Sequence, residues 1–134
     1  MNEEERYQYF MRNISETDRK SVDVIVKHVK SGKSVKISHE GQIIYHTINK
    51  AINLDVLQKE IFIPSRFSKS ENDILVQSVL CHAKPFKGFQ LWCDESGLDK
   101  QLPINEKATT MFMPQLYGHV LAGNILISPC NNGV

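Results

Sequence analysis

Glycine is scarce in this 134-residue chain: seven residues, scattered singly. That excludes a phosphate-cradling glycine loop, and no nucleophile elbow, His-Glu-x-x-His helix, EF-hand loop or deaminase-type His-x-Glu with paired cysteines is present either. Cysteine is scarcer still. Cys81, Cys93 and Cys130 are odd in number and spaced by twelve and thirty-seven residues, which fits neither a disulfide framework nor a paired zinc knuckle. They read as reduced thiols. A metal would need Cys81, His82, Cys93 and His119 to converge, and an adjacent Cys-His pair cannot easily point both side chains inward, so neither metal nor cofactor is expected.

An excess of charge is missing too. Sixteen basic against fifteen acidic residues leave a formal net charge of +1. This gives neither the positive field of a general nucleic-acid binder nor the negative field of a DNA mimic, and a nucleic-acid module ranks last among the function classes. No stretch approaches the roughly eighteen apolar residues of a membrane span. The start, Met1-Asn2-Glu3-Glu4-Glu5-Arg6, lacks the basic opening and apolar run of a secretory signal. The expectation is a protein that stays in the compartment where it is made.

What is present is an ordinary globular composition, 41% hydrophobic and 23% charged, at the usual size of one domain. Residues 1–134 are expected to form a single unit, with 1–14 a flexible or partner-contacting segment that offers Tyr7 and Phe10 from a short helix over Glu4 to Phe10. Ser15-Glu16-Thr17-Asp18 has the form of a helix start. Val22, Ile25, Val26 and Val29 then fall at helical spacing up to a stop near Gly32. Arg19 to Lys36 carries six basic residues and one acid, read chiefly as a solvated face that could also attract phosphate.

Val35–His39 and Ile43–Ile48 flank Glu40-Gly41, which predicts a tight hairpin. With those two residues as the turn, Val35 pairs with His46 and places it on the apolar face. Asn53 caps a short helix to Ile61. Ser70 and Asp73 suggest another, carrying Ile74, Leu75, Val79 and His82, although the β-branched residues leave a strand open. Phe89–Cys93 alternates as a strand, with Phe89, Leu91 and Cys93 on one side and Gln90 and Trp92 on the other. Asn105 is a natural N-cap for Glu106–Phe112, and His119–Ile127 reads as a central strand interrupted by Asn124, which must find partners. The fold class expected is α+β: a small, mostly antiparallel sheet, a hairpin plus two C-terminal strands, packed by three to four helices.

The C-terminal third forms a string: a strand ending in Asp94-Glu95-Ser96-Gly97-Leu98, then Leu102-Pro103-Ile104-Asn105, then Ala108-Thr109, then a Gly-containing apolar strand. It resembles the phage and mobile-element family catalogued as domain of unknown function thirty-eight forty-six, and the hairpin with Leu54-x-x-Leu57-Gln58 is similar to that family's front half. The resemblance spans roughly residues 34 to 62 and 89 to 128. It implies an α+β fold and a phage or mobile-element origin, in the cytoplasm of a host cell, and brings no catalytic residues.

The reading is therefore a non-enzymatic accessory protein that binds and inhibits a host component in counter-defence, by blocking a host protein or by sequestering a small nucleotide ligand, with a homo-oligomer as one arrangement. For the nucleotide, the candidate residues are Arg66, Lys84, Lys87 and Trp92, with Asn105 and Thr109 at a helix N-terminus. Lys84-Pro85-Phe86-Lys87-Gly88-Phe89 has the composition to stack a base and hold its phosphate. The competing reading is a small nucleotide-processing enzyme using His82 or His119 with Asp94 or Glu95.

Overall fold

Side-chain caps fix where the longer helices begin. Asn2, Ser15, Asn53 and Asn105 each accept a hydrogen bond from the backbone N–H three residues on, at 2.8, 3.1, 2.9 and 2.9 Å. Such a cap is worth about 1 kcal/mol. The computed structural model describes residues 2–49, 52–65 and 73–130. In chain order it places α1 (Glu3–Asn13), α2 (Glu16–Lys30), β1 (Val35–Ile37), β2 (Ile43–Tyr45), α3 (Leu54–Ile61), β3 (Val76–Leu80), β4 (Phe89–Asp94), α4 (Glu106–Met111), α5 (Met113–Leu116) and β5 (Ile125–Pro129). The fold is α+β.

The five strands run β2-β1-β5-β4-β3, and every neighbouring pair is antiparallel. Alternation along the central strands separates two apolar layers. Val35, Ile37, Leu91, Ile125 and Ile127 point to the main core with Val22, Ile25 and Val29 of α2 and Ala108 and Met111 of α4. Leu126 points the other way, against Leu57 and Ile61 of α3, where Trp92 also packs. β5, buried on both faces, is the near-continuous apolar strand the sequence suggests, but it is regular only from Ile125, because Gly123 adopts φ +80°. Asn124 is satisfied at the bend: its Oδ1 accepts from His39 N and its Nδ2 donates to Glu60 O.

Three local expectations change. The segment after Asp73 is a strand and not a helix: Val76–Leu80 pairs along β4, since two β-branched residues beside an open sheet edge gain more from the ladder than from a short helix. Ser70 itself lies outside the described residues. The hairpin register is one residue off the two-residue turn, with Val35 opposite Tyr45 and Ile37 opposite Ile43. Ser38 causes this: its hydroxyl accepts from Gln42 N and its carbonyl from Gly41 N, closing a five-residue connection. A one-residue slip flips the faces. Tyr45 consequently packs on the main core, while His46 sits on the α3 side, its Nε2 3.7 Å from Glu60 beside Lys36. Finally, Phe10 turns into its own chain and is buried.

Candidate functional site

A groove lies where α1, α2 and the β3–β4 connection meet. α2 buries Val22, Ile25 and Val29, and the neighbouring stripe at Asp23, Val26, Lys27 and Lys30, spaced by helical turns, faces the opening. Tyr7 of α1 forms one wall and Lys84, Pro85 and Lys87 the other, with Phe89 below; the space is about 630 Å3. Phe86 is not a stacking surface there: it is buried, with its ring centroid 4.6 Å from that of Phe112, and serves to anchor the connection.

Four lysines against one aspartate line this groove, on a floor of apolar side chains. Two of them are answered from α1: Lys84 Nζ lies 2.9 Å from Glu4 Oε2, and Lys87 Nζ 3.2 Å from Glu3 Oε1. The Lys84 ammonium also sits 5.6 Å from the Tyr7 ring centroid. Lys84, with Gln8 in support, holds the Glu4 carboxyl below its ordinary range, and Glu4 in turn raises Lys84. Lys27 and Lys30 are exposed and form no ion pair among the described residues.

Of the residues singled out by sequence, the fold brings together Lys84 and Lys87, in one groove with two members of the basic stripe. The others stand elsewhere. Arg66 lies outside the described residues. Trp92 packs under α3 and its Nε1 donates to Ser128 Oγ at 2.9 Å. Asn105 is fully buried; its amide donates to Ile37 O and Gly123 O while its Oδ1 caps α4. Thr109 Oγ1 accepts from Leu121 N. These polar groups are engaged in holding the chain together. Tyr7 and Val26 are site residues that sequence reasoning assigned to a partner contact and to the core.

Of the groups of the enzymatic alternative, His82 and Asp94 lie at opposite ends of the β3–β4 ladder. His82 stacks on Tyr117 just past the end of β3. Asp94 lies at the far end of β4, some five residues or about 17 Å along the sheet, and is bound by Lys100 Nζ at 3.0 Å and by Ser96 N. Among the described residues no three of His, Cys, Asp or Glu come together as a metal site, and no helix is long and apolar enough to cross a membrane. No family model, no curated protein and no solved structure matches this chain.

Proposed function

We propose that this chain is a non-catalytic binding protein whose groove between α1, α2 and the β3–β4 connection takes a phosphate-bearing organic anion, in the first instance a nucleotide, and that it acts by sequestering such a signal. The observation that carries this reading is the convergence of Lys27, Lys30, Lys84 and Lys87 from two distant segments around the apolar lining of Val26, Tyr7 and Phe89. Ammonium groups bind phosphate as point charges, and an apolar floor adds affinity for a flat organic moiety that inorganic ions lack. The family resemblance supports a phage or mobile-element setting, in which withholding a nucleotide signal is counter-defence. Calorimetry with a panel of cyclic and ADP-ribose-derived nucleotides tests it. Heat that disappears in Lys27→Ala/Lys30→Ala is expected; no heat from any member sinks the reading.

Blocking of a host protein is favoured by a different feature. Tyr9, Met113 and Tyr117 are large and more than half exposed at 55%, 54% and 63%, on adjoining surfaces of α1 and the α5 region. An exposed aromatic-methionine patch of this kind suits a protein contact. Tyr9→Ser/Met113→Ser would remove it without touching the lysines.

A further inference from the structure

We infer that Glu3 and Glu4 are an internal counter-ligand of the groove, and that a ligand bearing two or more phosphate-type charges displaces them and frees the N-terminal turns of α1. The inference rests on the groove being an anion site, as proposed above, and adds what class of anion it selects and how it opens.

The two carboxylates are neighbours on the first turn of α1, and each reaches a different lysine of the β3–β4 connection. Two lysines three residues apart are thus already occupied by a pair of negative charges belonging to the protein itself. A monoanion can replace one carboxylate and leaves the other in place. A diphosphate replaces both at once, so exchange is two for two and favours polyphosphates. Lys27 and Lys30, without ion pairs among the described residues, supply the attraction the carboxylates do not already consume.

The attachment of α1 is graded in the way such an exchange needs. Its C-terminal half is pinned: Phe10 is buried, Ile14 packs on the core, and the Arg19 guanidinium donates to Met11 O through Nε at 3.1 Å and Nη2 at 2.6 Å. Its N-terminal half has no fully buried residue, Arg6 and Tyr7 being half-buried. It is held by the two lysine pairs and by Arg6, whose guanidinium lies 4.5 Å over the Tyr117 ring and donates to Pro114 O. Exposed ion pairs contribute little net stability and exchange readily with ions in solution. Tyr7 follows Glu4 and Glu3 by three and four residues on the same helix stripe, so the turns that carry the carboxylates also carry a groove wall.

The test is titration of the full chain with inorganic pyrophosphate and with inorganic phosphate at low salt, comparing wild type with Glu3→Gln/Glu4→Gln, both exposed positions. The variant is expected to bind pyrophosphate about tenfold more tightly, from the removal of two competing ion pairs, with a smaller gain for phosphate. In wild type, saturating pyrophosphate should accelerate hydrogen exchange of the amides of residues 4–8 while leaving those of α2 unchanged. Binding of equal affinity in both proteins, or slowed exchange in α1, overturns the counter-ligand and leaves the groove standing as an anion site. If neither protein binds either anion, this inference fails, and the groove reading is decided separately by the nucleotide panel.

Discussion

The Asn105 side-chain amide donates a 2.9 Å hydrogen bond to the carbonyl of Gly123, and the Gly123 N–H returns one to Pro103 O at 2.7 Å. The same amide reaches Ile37 O at 2.9 Å, so one buried side chain joins β1, the approach to β5 and the start of α4. Asn105→Ala removes a donor from two carbonyls in the interior and leaves α4 uncapped, and is expected to cost roughly 2–5 kcal/mol in urea unfolding. Asn105→Asp keeps the cap but presents a carboxylate to two carbonyls. It should be as damaging at neutral pH and recover in acid, where one proton restores a donor. A neutral-pH Asp variant of wild-type stability would contradict this account.

Gly123 is the second half of that joint. It adopts φ +80°, and a Cβ there would meet Leu102 Cδ1 at 3.1 Å and Ile63 Cδ1 at 3.6 Å. Gly123→Ala is therefore expected to lose about 1–3 kcal/mol, from the left-handed backbone and from crowding against Leu102. Gly88, with φ +89° and open space around it, carries only the backbone part of that cost. Thermal midpoints of the two alanine variants separate the contributions, and equal losses would mean that Leu102 yields freely.

These residues show what the sequence carries and what it does not. Ser15, Asn53 and Asn105 cap helices by contacts three residues long, and the alternation of Phe89, Leu91 and Cys93 is equally local, so all were legible. The register of β1 against β2 turned on one Ser38 hydroxyl, and β3 on a partner strand further along the chain. In the candidate site, Asn105, Thr109 and Trp92 carry the polar and aromatic groups a ligand uses, but the same groups hold a fold together, and composition cannot tell the two apart. Lys84 and Lys87 were legible as a turn. That Lys27 and Lys30 stand across from them depends on packing α2 over the sheet, which no local pattern encodes.

Trp92 illustrates the distinction experimentally. Its indole packs with Leu57, Ile61 and Leu126, and its N–H is used by Ser128. Trp92→Phe is expected to lower stability by about 1–3 kcal/mol through the lost hydrogen bond and volume, while pyrophosphate affinity stays within twofold of wild type, an order-of-magnitude bound for a residue outside the groove. A large loss of affinity with unchanged stability would return Trp92 to the ligand site.

Cys81 makes the thiol chemistry testable. It is buried, and burial pushes its thiol from 9.0 up to about 11, with only partial relief from Gln115. The folded protein thus favours the protonated thiol. Stability from this group is complete below about pH 9 and is lost as pH rises through about 11. Alkylation by iodoacetamide at neutral pH should leave Cys81 unmodified in the folded protein and label it on unfolding. Rapid labelling of Cys81 under native conditions would contradict the packing described.

The ion pair between Lys84 and Glu4 sets a pH dependence on α1 that the core does not share. Glu4 is held below its ordinary 4.5 chiefly by Lys84. A depressed carboxylate supports the folded arrangement above its unfolded value, and that support is lost as pH falls through the lower, folded one. Docking of the first turns of α1 is therefore expected to be intact at neutral pH and to weaken in acid below 4.5, while Leu91 of β4 and Ile125 and Ile127 of β5, buried in the main core, stay protected. Protection factors corrected for intrinsic exchange provide the measurement. Glu4→Gln should show weakened protection of residues 4–8 already at neutral pH and a smaller further change on acidification, because one of the two carboxylates that pair with the lysines is gone. If wild type and Glu4→Gln respond identically to acid, the Lys84 pair does not hold α1, and the counter-charge on the groove must come from elsewhere.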